Sequence, residues 1–356
     1  MPVRALEFFC GIGGLHLAFK RSGVDGSVVQ AFDWDQTACQ VYSTNFPQST
    51  VQKVDIATLT AADLVPYNAD FWLLSPACQP YTVLNPNANG ASDPRAKSFL
   101  HLIQIVLPDM TSANNQPSHL LVENVAGFET SSTRQILLSV LQSLGYTTLE
   151  LLITPLQFGI PNSRLRYYLL ARFAHQFPHV PADTSGDNDK TSDDLLPTTS
   201  PVRKVQEYLD SDEILNNPHP NAVPDRVLIR WGRLFDIVLP SSQRTCCFTR
   251  GYSHLVERAG SILQMNENLD TTQTFDRFIK ASLNHEECAV EILRPLRLRY
   301  FSPSELLRLF DFTPIHTHFV FVWPVGISAK TKYRLIGNSV NVSVVQKLIS
   351  YLFLEM

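Results

Sequence analysis

Cys78 stands in the loop Ser75-Pro76-Ala77-Cys78-Gln79-Pro80. The loop follows the apolar run Ala69-Asp70-Phe71-Trp72-Leu73-Leu74, which has a strand's length and composition. Pro76 and Pro80 flank the cysteine, each fixing its own φ near about −65° and restricting the residue before it. A free cysteine is ordinarily a small buried hydrophobe. A thiol held in one place at the carboxyl end of a strand, where open α/β sheets bind ligands, is instead a candidate nucleophile. Glu123-Asn124-Val125 ends a second apolar run, 118–122. A βα crossover from the cysteine could set that acid beside it in the sheet. Arg164 and Arg166 have the period-2 spacing that puts two side chains on one face of a strand. The plainer reading of that pair is a solvated edge.

A second group of residues suits a nucleotide-like ligand. The apolar run 3–9 ends in Cys10-Gly11-Ile12-Gly13-Gly14, and a helical pattern follows over 15–21. Glycines at such a turn let a ligand approach the backbone beside a helix N-terminus. The pattern is GxGG, with His16 where a dinucleotide fingerprint has its third glycine, so a pyrophosphate is not strongly implied. A plain tight turn also explains it. A second strand over 27–32 ends in Asp33, placed to accept two ribose hydroxyls or to cap a helix over 36–42. Trp34 beside it could stack on a base. Residues 53–56 read as a third short strand ending at Asp55.

These residues require a parallel sheet with crossover helices. The spacing predicts helices over 95–107 and 132–144, and a hairpin-like pair over 147–153 and 166–171. Residues 84–93 form an Asn/Gly/Pro-rich stretch, read as a mobile loop. Ser302-Pro303-Ser304-Glu305 is a helix start with N-cap, proline and capping glutamate in place. Gly337-Asn338 suits a tight turn against a ligand or the first strand, before a C-terminal helix. Residues 182–200, acidic and rich in Ser, Thr and Asp, read as a flexible linker. The weakly periodic region 173–295 reads as a small second domain. Arg226, Arg230, Arg233, Arg244, Arg250 and Arg258 gather in its middle, as a solvated helix face or a phosphate-binding surface.

The chain has 356 residues, 44% of them apolar, enough for a large core. Its net charge of −4 obliges any nucleic-acid surface to concentrate its basic residues locally. The six cysteines show no CxxC and no zinc spacing, so no metal is expected, and they read as reduced thiols of a cytoplasmic or nuclear protein. There is no signal peptide and no apolar run long enough to span a bilayer.

In order along the chain, Phe9-Cys10-Gly11-Ile12-Gly13-Gly14, Ser75 to Gln79, Glu123-Asn124-Val125, Arg164-Leu165-Arg166 and Gly337-Asn338-Ser339-Val340 resemble the motifs of the cytosine-5 methyltransferase family. Five in order with the right separations are specific where one alone is weak. Within that family the chain is most similar to the tRNA aspartic acid methyltransferase branch. The resemblance rests on Cys247-Phe248-Thr249-Arg250-Gly251-Tyr252 and Asn162-Ser163-Arg164-Leu165-Arg166-Tyr167, with the lean second domain in agreement. One departure is Ala77, where the family has proline before the cysteine. Alanine frees φ and restores an N–H, an entropic difference of about 1 kcal/mol that bears on rate more than on chemistry.

The resemblance implies a Rossmann-like fold, a mostly parallel doubly wound sheet. Residues 1–172 and 296–356 would form the catalytic domain, and 173–295 an inserted target-recognition domain. The C-terminal segment would pack beside the first strand. The implied donor is S-adenosylmethionine. Phe9, Gly11, Ile12, Gly13, Gly14 and Ser75 would border it, Asp33 would take the ribose, Trp34 and Ile56 the adenine, Asp55 would face the adenine, and Asn338 and Ser339 would close the site. Cys78 would add to C6 of cytosine, making C5 nucleophilic. A protonated Glu123 would donate to N3, and Arg164 and Arg166 would hold the base carbonyl or a phosphate. Gln79, Arg244, Cys247, Phe248, Thr249, Arg250 and Tyr252 would meet the substrate. That substrate would be a cytosine of the anticodon loop of aspartate tRNA, whose bases are already partly unstacked. The alternatives are a DNA cytosine-5 methyltransferase and a catalytically silent tRNA-binding homologue. The expected chain is monomeric, with tRNA as partner, weak binding to DNA and no membrane.

Overall fold

The computed structural model describes residues 1–48, 50–82, 89–175, 177, 201–211, 219–255, 258–286, 288–313 and 319–354. Seven strands form the main sheet: β1 (Val3–Phe8), β2 (Gly26–Asp33), β3 (Val51–Lys53), β4 (Phe71–Leu74), β5 (His119–Val125), β6 (Tyr146–Ile153) and β7 (Arg166–Phe173). Their order across the sheet is β3-β2-β1-β4-β5-β7-β6. The β2–β3, β1–β2, β1–β4 and β4–β5 pairs are parallel, whereas β7 runs antiparallel to both β5 and β6. Strand order reverses between β1 and β4, so ligands are expected in the crevice at their carboxyl ends.

The central strands are buried on both faces, which is why they read as unbroken apolar runs. Phe71, Trp72, Leu73 and Leu74 of β4 have no solvent exposure. One core lies between the sheet and the helical segment Lys97–His101, Leu102–Val106, Leu107–Ser112, joined by helix Ser132–Ser143. The other lies under α1 (Gly14–Arg21) and the C-terminal helix Val342–Leu352. The C-terminal helix packs against α1, not beside β1, because β2 and β4 occupy both edges of β1.

Several expected boundaries move, each for a local reason. The second helix, α2 (Gln36–Asn45), is capped by Asp35, whose Oδ1 accepts from Thr37 and Ala38. Asp33 is thereby released from capping. β5 runs on through Glu123 to Val125 because β7 supplies partners for the whole stretch, Glu123 opposite Tyr168 and Val125 opposite Arg166. The helix expected over 95–107 continues to Ser112 by widening into a π-helical turn at Leu102–Val106, which places Pro108 in the first turn of the next helical segment. β3 stops at Lys53, and Asp55 caps the 3₁₀ turn Ile56–Thr58 through the Ala57 N–H. In the Asn/Gly/Pro-rich stretch, residues 83–88 lie outside the described residues. Its end forms a 3₁₀ turn, Gly90–Ser92, followed by an Asp93–Arg95 ion pair at 2.6 Å. The stretch 182–200 also lies outside the described residues.

A second, three-stranded sheet has the order β10-β9-β8: β8 (Ile237–Val238), β9 (Ile262–Gln264) and β10 (Leu298–Arg299). The helices Asp225–Trp231 and Thr271–Leu283 pack with it over a small core containing Phe275, Phe278 and Leu296. β10 follows the residue at which the inserted region was expected to end, and it pairs with β9 of this sheet. The Ser302 capping box forms as the sequence implies: Glu305 Oε2 accepts the Ser302 N–H at 2.7 Å, and the Ser302 hydroxyl accepts the Glu305 N–H.

Candidate active site

The topology lines up the chemistry-bearing residues along one edge of the sheet. From β2 to β7, the edge carries Asp33, the glycine turn after β1, the cysteine loop after β4, Glu123 in β5 and Arg166. Arg166 belongs there because β7 is reversed: its first residue sits opposite Val125, near the end of β5. Adjacent strands are about 4.8 Å apart, so Glu123 and the glycine turn lie two strand spacings from each other. These groups surround a cavity of about 340 Å³.

On the β1–β2 side, Gly11 adopts φ +53°, and the place a Cβ would occupy is open space. Its N–H donates to Asp33 Oδ2 at 2.8 Å, and the Asp35 N–H donates to Asp33 Oδ1 at 2.8 Å. Two N–H bonds fix the carboxylate while leaving each oxygen further capacity to accept hydroxyls. Burial raises the Asp33 carboxyl above its ordinary value, against the pull of those two bonds. Trp34 is 77% exposed at the rim, an available stacking face. The cradle therefore fits a ligand carrying a ribose and an aromatic base. Ser339 and Val340 close it, packing where a Cβ on Gly14 would stand.

On the other side, Asn124 donates to the Pro76 carbonyl at 3.2 Å and tethers the cysteine loop to β5. The Ser75 hydroxyl donates to Glu123 Oε2 at 2.7 Å, and Arg166 Nε lies 3.4 Å from Glu123 Oε1. Burial raises the Cys78 thiol above its ordinary value, Glu123 adds to this, and Arg166, Arg164 and Arg250 oppose it. The side thus brings to one cavity a partly exposed thiol and a carboxyl paired with a guanidinium.

Arg164 also borders the cavity, but its two terminal nitrogens are committed elsewhere. Nη1 donates to the Phe248 carbonyl at 2.9 Å, and Nη2 to the Gly337 carbonyl at 3.1 Å and to that of Ser339. It holds segments together, while Arg166 faces the carboxyl.

Of the residues expected at the donor, Phe9, Gly11, Ile12, Gly14, Asp33, Trp34, Ser75, Asn338 and Ser339 line the cavity. Gly13, Asp55 and Ile56 do not: Gly13 abuts the Phe46 ring, the exposed Asp55 caps the 3₁₀ turn through Oδ1, and Ile56 is core. Of the residues expected at the substrate, Gln79 and Arg250 line it. Phe248 and Tyr252 are buried, and the Tyr252 hydroxyl bonds the Ser261 carbonyl and the Phe301 N–H, so they stabilise their segment and do not face a substrate. Arg244 pairs with Asp236 at 2.8 Å, and Thr249 receives the Ala259 carbonyl on its N–H, both away from the cavity. Cys247 also lies off the cavity, against the two arginines: Arg164 Nη1 is 3.4 Å and Arg166 Nη2 3.7 Å from its sulfur. Burial pushes this thiol up, but the two guanidinium groups outweigh that and bring it below its ordinary value. Two further lining residues receive no site role from the sequence. Arg334 forms an ion pair with Asp35 at 2.5 Å across the chain, and Val125 enters through the extension of β5.

The family model for C-5 cytosine-specific DNA methylases matches residues 3–353. The chain is 37% identical over 351 residues to the tRNA (cytosine(38)-C(5))-methyltransferase of Schizosaccharomyces pombe, covering 98% of this chain and 96% of that one. It is 32% identical to a DNA (cytosine-5)-methyltransferase of Dictyostelium discoideum, over 98% of this chain and 94% of that one. A crystal structure of the S. pombe Dnmt2 methyltransferase superposes with a TM-score of 0.79 at 35% identity, covering 99% of this chain and 98% of that chain. Methyltransferases of this kind use S-adenosylmethionine. With that match over nearly its whole length, and with a donor cradle and a thiol–carboxyl–guanidinium group on one sheet edge, the chain belongs to the C-5 cytosine-specific methylase family.

Proposed function

We propose that this enzyme methylates C5 of a cytosine in the anticodon loop of aspartate tRNA, at the position numbered 38 in the names of its relatives. The observation that carries the chemistry is the placement of Cys78, Glu123 and Arg166 in one cavity with the Asp33 cradle. S-adenosylmethionine supplies an electrophilic methyl group when bound. Asp33 would hold its ribose, Trp34 its base, and the 337–340 turn would cover it.

The chain's own groups perform the rest. Cys78 as thiolate forms a bond to C6, and the C5–C6 π pair becomes nucleophilic at C5. Glu123, when it carries a proton, donates to N3 and offsets the charge that develops there. Arg166 orients Glu123 and presents its planar fork to the base carbonyl. C5 takes the methyl group. A base then removes the C5 proton, the C6–sulfur bond breaks, and its electron pair returns to Cys78. Pro76 and Pro80 restrain the loop although Ala77 does not.

A substrate surface for RNA is supported by charge. Among the described residues, Arg226, Arg233 and Arg250 enter no ion pair, and Arg230 lies over the Trp231 ring at 4.8 Å. The name of the Dictyostelium relative raises a second reading, DNA as substrate. The short strands and few helices of the second sheet offer little surface to fill a major groove. Methyl incorporation into aspartate tRNA and into duplex DNA, measured at one salt concentration, separates them. Transfer to the tRNA is expected, with a steep loss of binding as salt rises. Transfer confined to duplex DNA would overturn the reading.

A further inference from the structure

The segment 246–252 and the turn 337–339 are nearly ninety residues apart, yet they meet backbone to backbone. A Cβ on Gly337 would collide with the Thr249–Arg250 peptide, so only glycine permits this approach. Arg164 closes the same junction from the sheet side. Its guanidinium, 3% exposed, takes the carbonyls of Phe248, Gly337 and Ser339 together. Its Nε remains buried without a partner, so the group is committed to this junction at some cost. The turn in its turn touches the donor cradle: Ser339 Oγ and Val340 Cγ2 would stand 2.9 and 2.8 Å from a Cβ on Gly14. From the far side, the Arg334–Asp35 pair ties the helix Ala329–Gly337 to the end of β2.

We propose that Arg164 and the Gly337–Ser339 turn form a rigid joint through which donor occupancy and RNA engagement by Arg250 change each other's affinity. The inference rests on the reading of the cavity as a donor site and of the substrate as tRNA. A ligand that seats the glycine turn and the 337–340 turn also seats the carbonyls that Arg164 gathers. Arg250, which lines the cavity, is carried on the same segment. Arg164 is thus a positioning residue, acting through Phe248, Gly337 and Ser339, whereas Arg166 faces the carboxyl. Coupling of this kind is reciprocal: whatever factor the donor adds to RNA affinity, RNA adds to donor affinity.

The test uses the full chain, S-adenosylhomocysteine at saturation and an aspartate tRNA transcript. The dissociation constant of the RNA is measured with and without S-adenosylhomocysteine, in wild type, Arg164→Lys and Gly337→Ala. The expected ratio in wild type is at least about 5-fold, falling below about 2-fold in both variants. Hydrogen exchange of the 248–252 amides, without RNA, is the companion readout. S-adenosylhomocysteine should slow it in wild type and not in the variants, while amides of β4 and β5 stay protected in all three and report an intact fold. An unshifted RNA affinity in wild type, or an undiminished ratio in both variants, would overturn the joint. If the transcript does not bind at all, the substrate reading fails and the exchange data alone decide the joint. If S-adenosylhomocysteine gives no heat of binding, the donor reading fails and takes the joint with it.

Discussion

The two sides of the cavity are built in different ways. The donor side comes from adjacent strands and the turns that follow them. Asp33 is held by the N–H groups of Gly11 and Asp35, all within one crossover unit. The target side draws Cys78, Glu123, Arg166 and Arg250 from four separated segments. It depends on cross-links between strands: Asn124 to Pro76, Ser75 to Glu123, Arg166 to Glu123. The first arrangement makes a binding site that the local fold enforces. The second, the proposed reactive site, has parts that can each be lost separately. Substitutions on the target side should therefore lower turnover, and substitutions on the donor side should raise the donor's KM.

The sharpest break would come from Glu123→Ala. Turnover should fall by about 10²- to 10⁴-fold, the usual worth of a positioned acid, with donor KM nearly unchanged in steady-state kinetics. Asp33→Asn should give the opposite split. Losing the charge on an acceptor of hydroxyls costs about 1.5–3 kcal/mol, or roughly 10- to 100-fold in donor KM, with kcat little altered. If both variants showed the same split, the division between the sides would be wrong.

A smaller effect concerns pH. Burial raises the Cys78 thiol, so less of it is ionised at neutral pH than of an ordinary thiol. In Glu123→Gln, whose amide does not titrate, the residual activity should rise with pH, about tenfold per unit, and still be climbing near pH 8.5, where an unperturbed thiol is half ionised. A plateau at lower pH in single-turnover rates would contradict this. The smallest effect is on stability. Glu7 of β1 lies wholly buried beneath the glycine turn, where its Oε1 accepts the His16 N–H and its Oε2 the Tyr42 hydroxyl. Burial pushes its carboxyl up to about 8. A raised acid binds its proton more tightly folded than unfolded, so its contribution is full below about 4.3 and is lost as pH rises toward 8. Denaturant midpoints of Glu7→Gln should lack that decline between pH 5 and 8.

The same contrast explains what could be read from residues alone. The donor side was legible because its signals are local: an apolar strand, a glycine turn, an acid about twenty residues on. The target residues Cys78, Glu123 and Arg166 were legible as types at strand ends, and the hairpin pairing of β6 and β7 set the reversed strand that brings Arg166 to them. What escaped notice depends on partners far away in sequence. Nothing near Arg164 shows that carbonyls from residues 248, 337 and 339 take its N–H groups. Nothing near Arg334 shows Asp35. The resemblance placed Phe248 and Tyr252 at the substrate, and they are core, since the aromatic cluster that encloses them includes Phe301 and Tyr333. The second sheet was invisible because strands of two or three residues leave no period to detect.

The proposed function turns on attack by Cys78 on one cytosine of an anticodon loop. Labelled methyl transfer from S-adenosylmethionine to total tRNA, followed by bisulfite sequencing, tests it directly, with Cys78→Ala alongside. The expected result is a mark at a single anticodon-loop cytosine of aspartate tRNA, with transfer reduced by at least about 10³-fold in the variant. A mark that persisted undiminished in Cys78→Ala would contradict it.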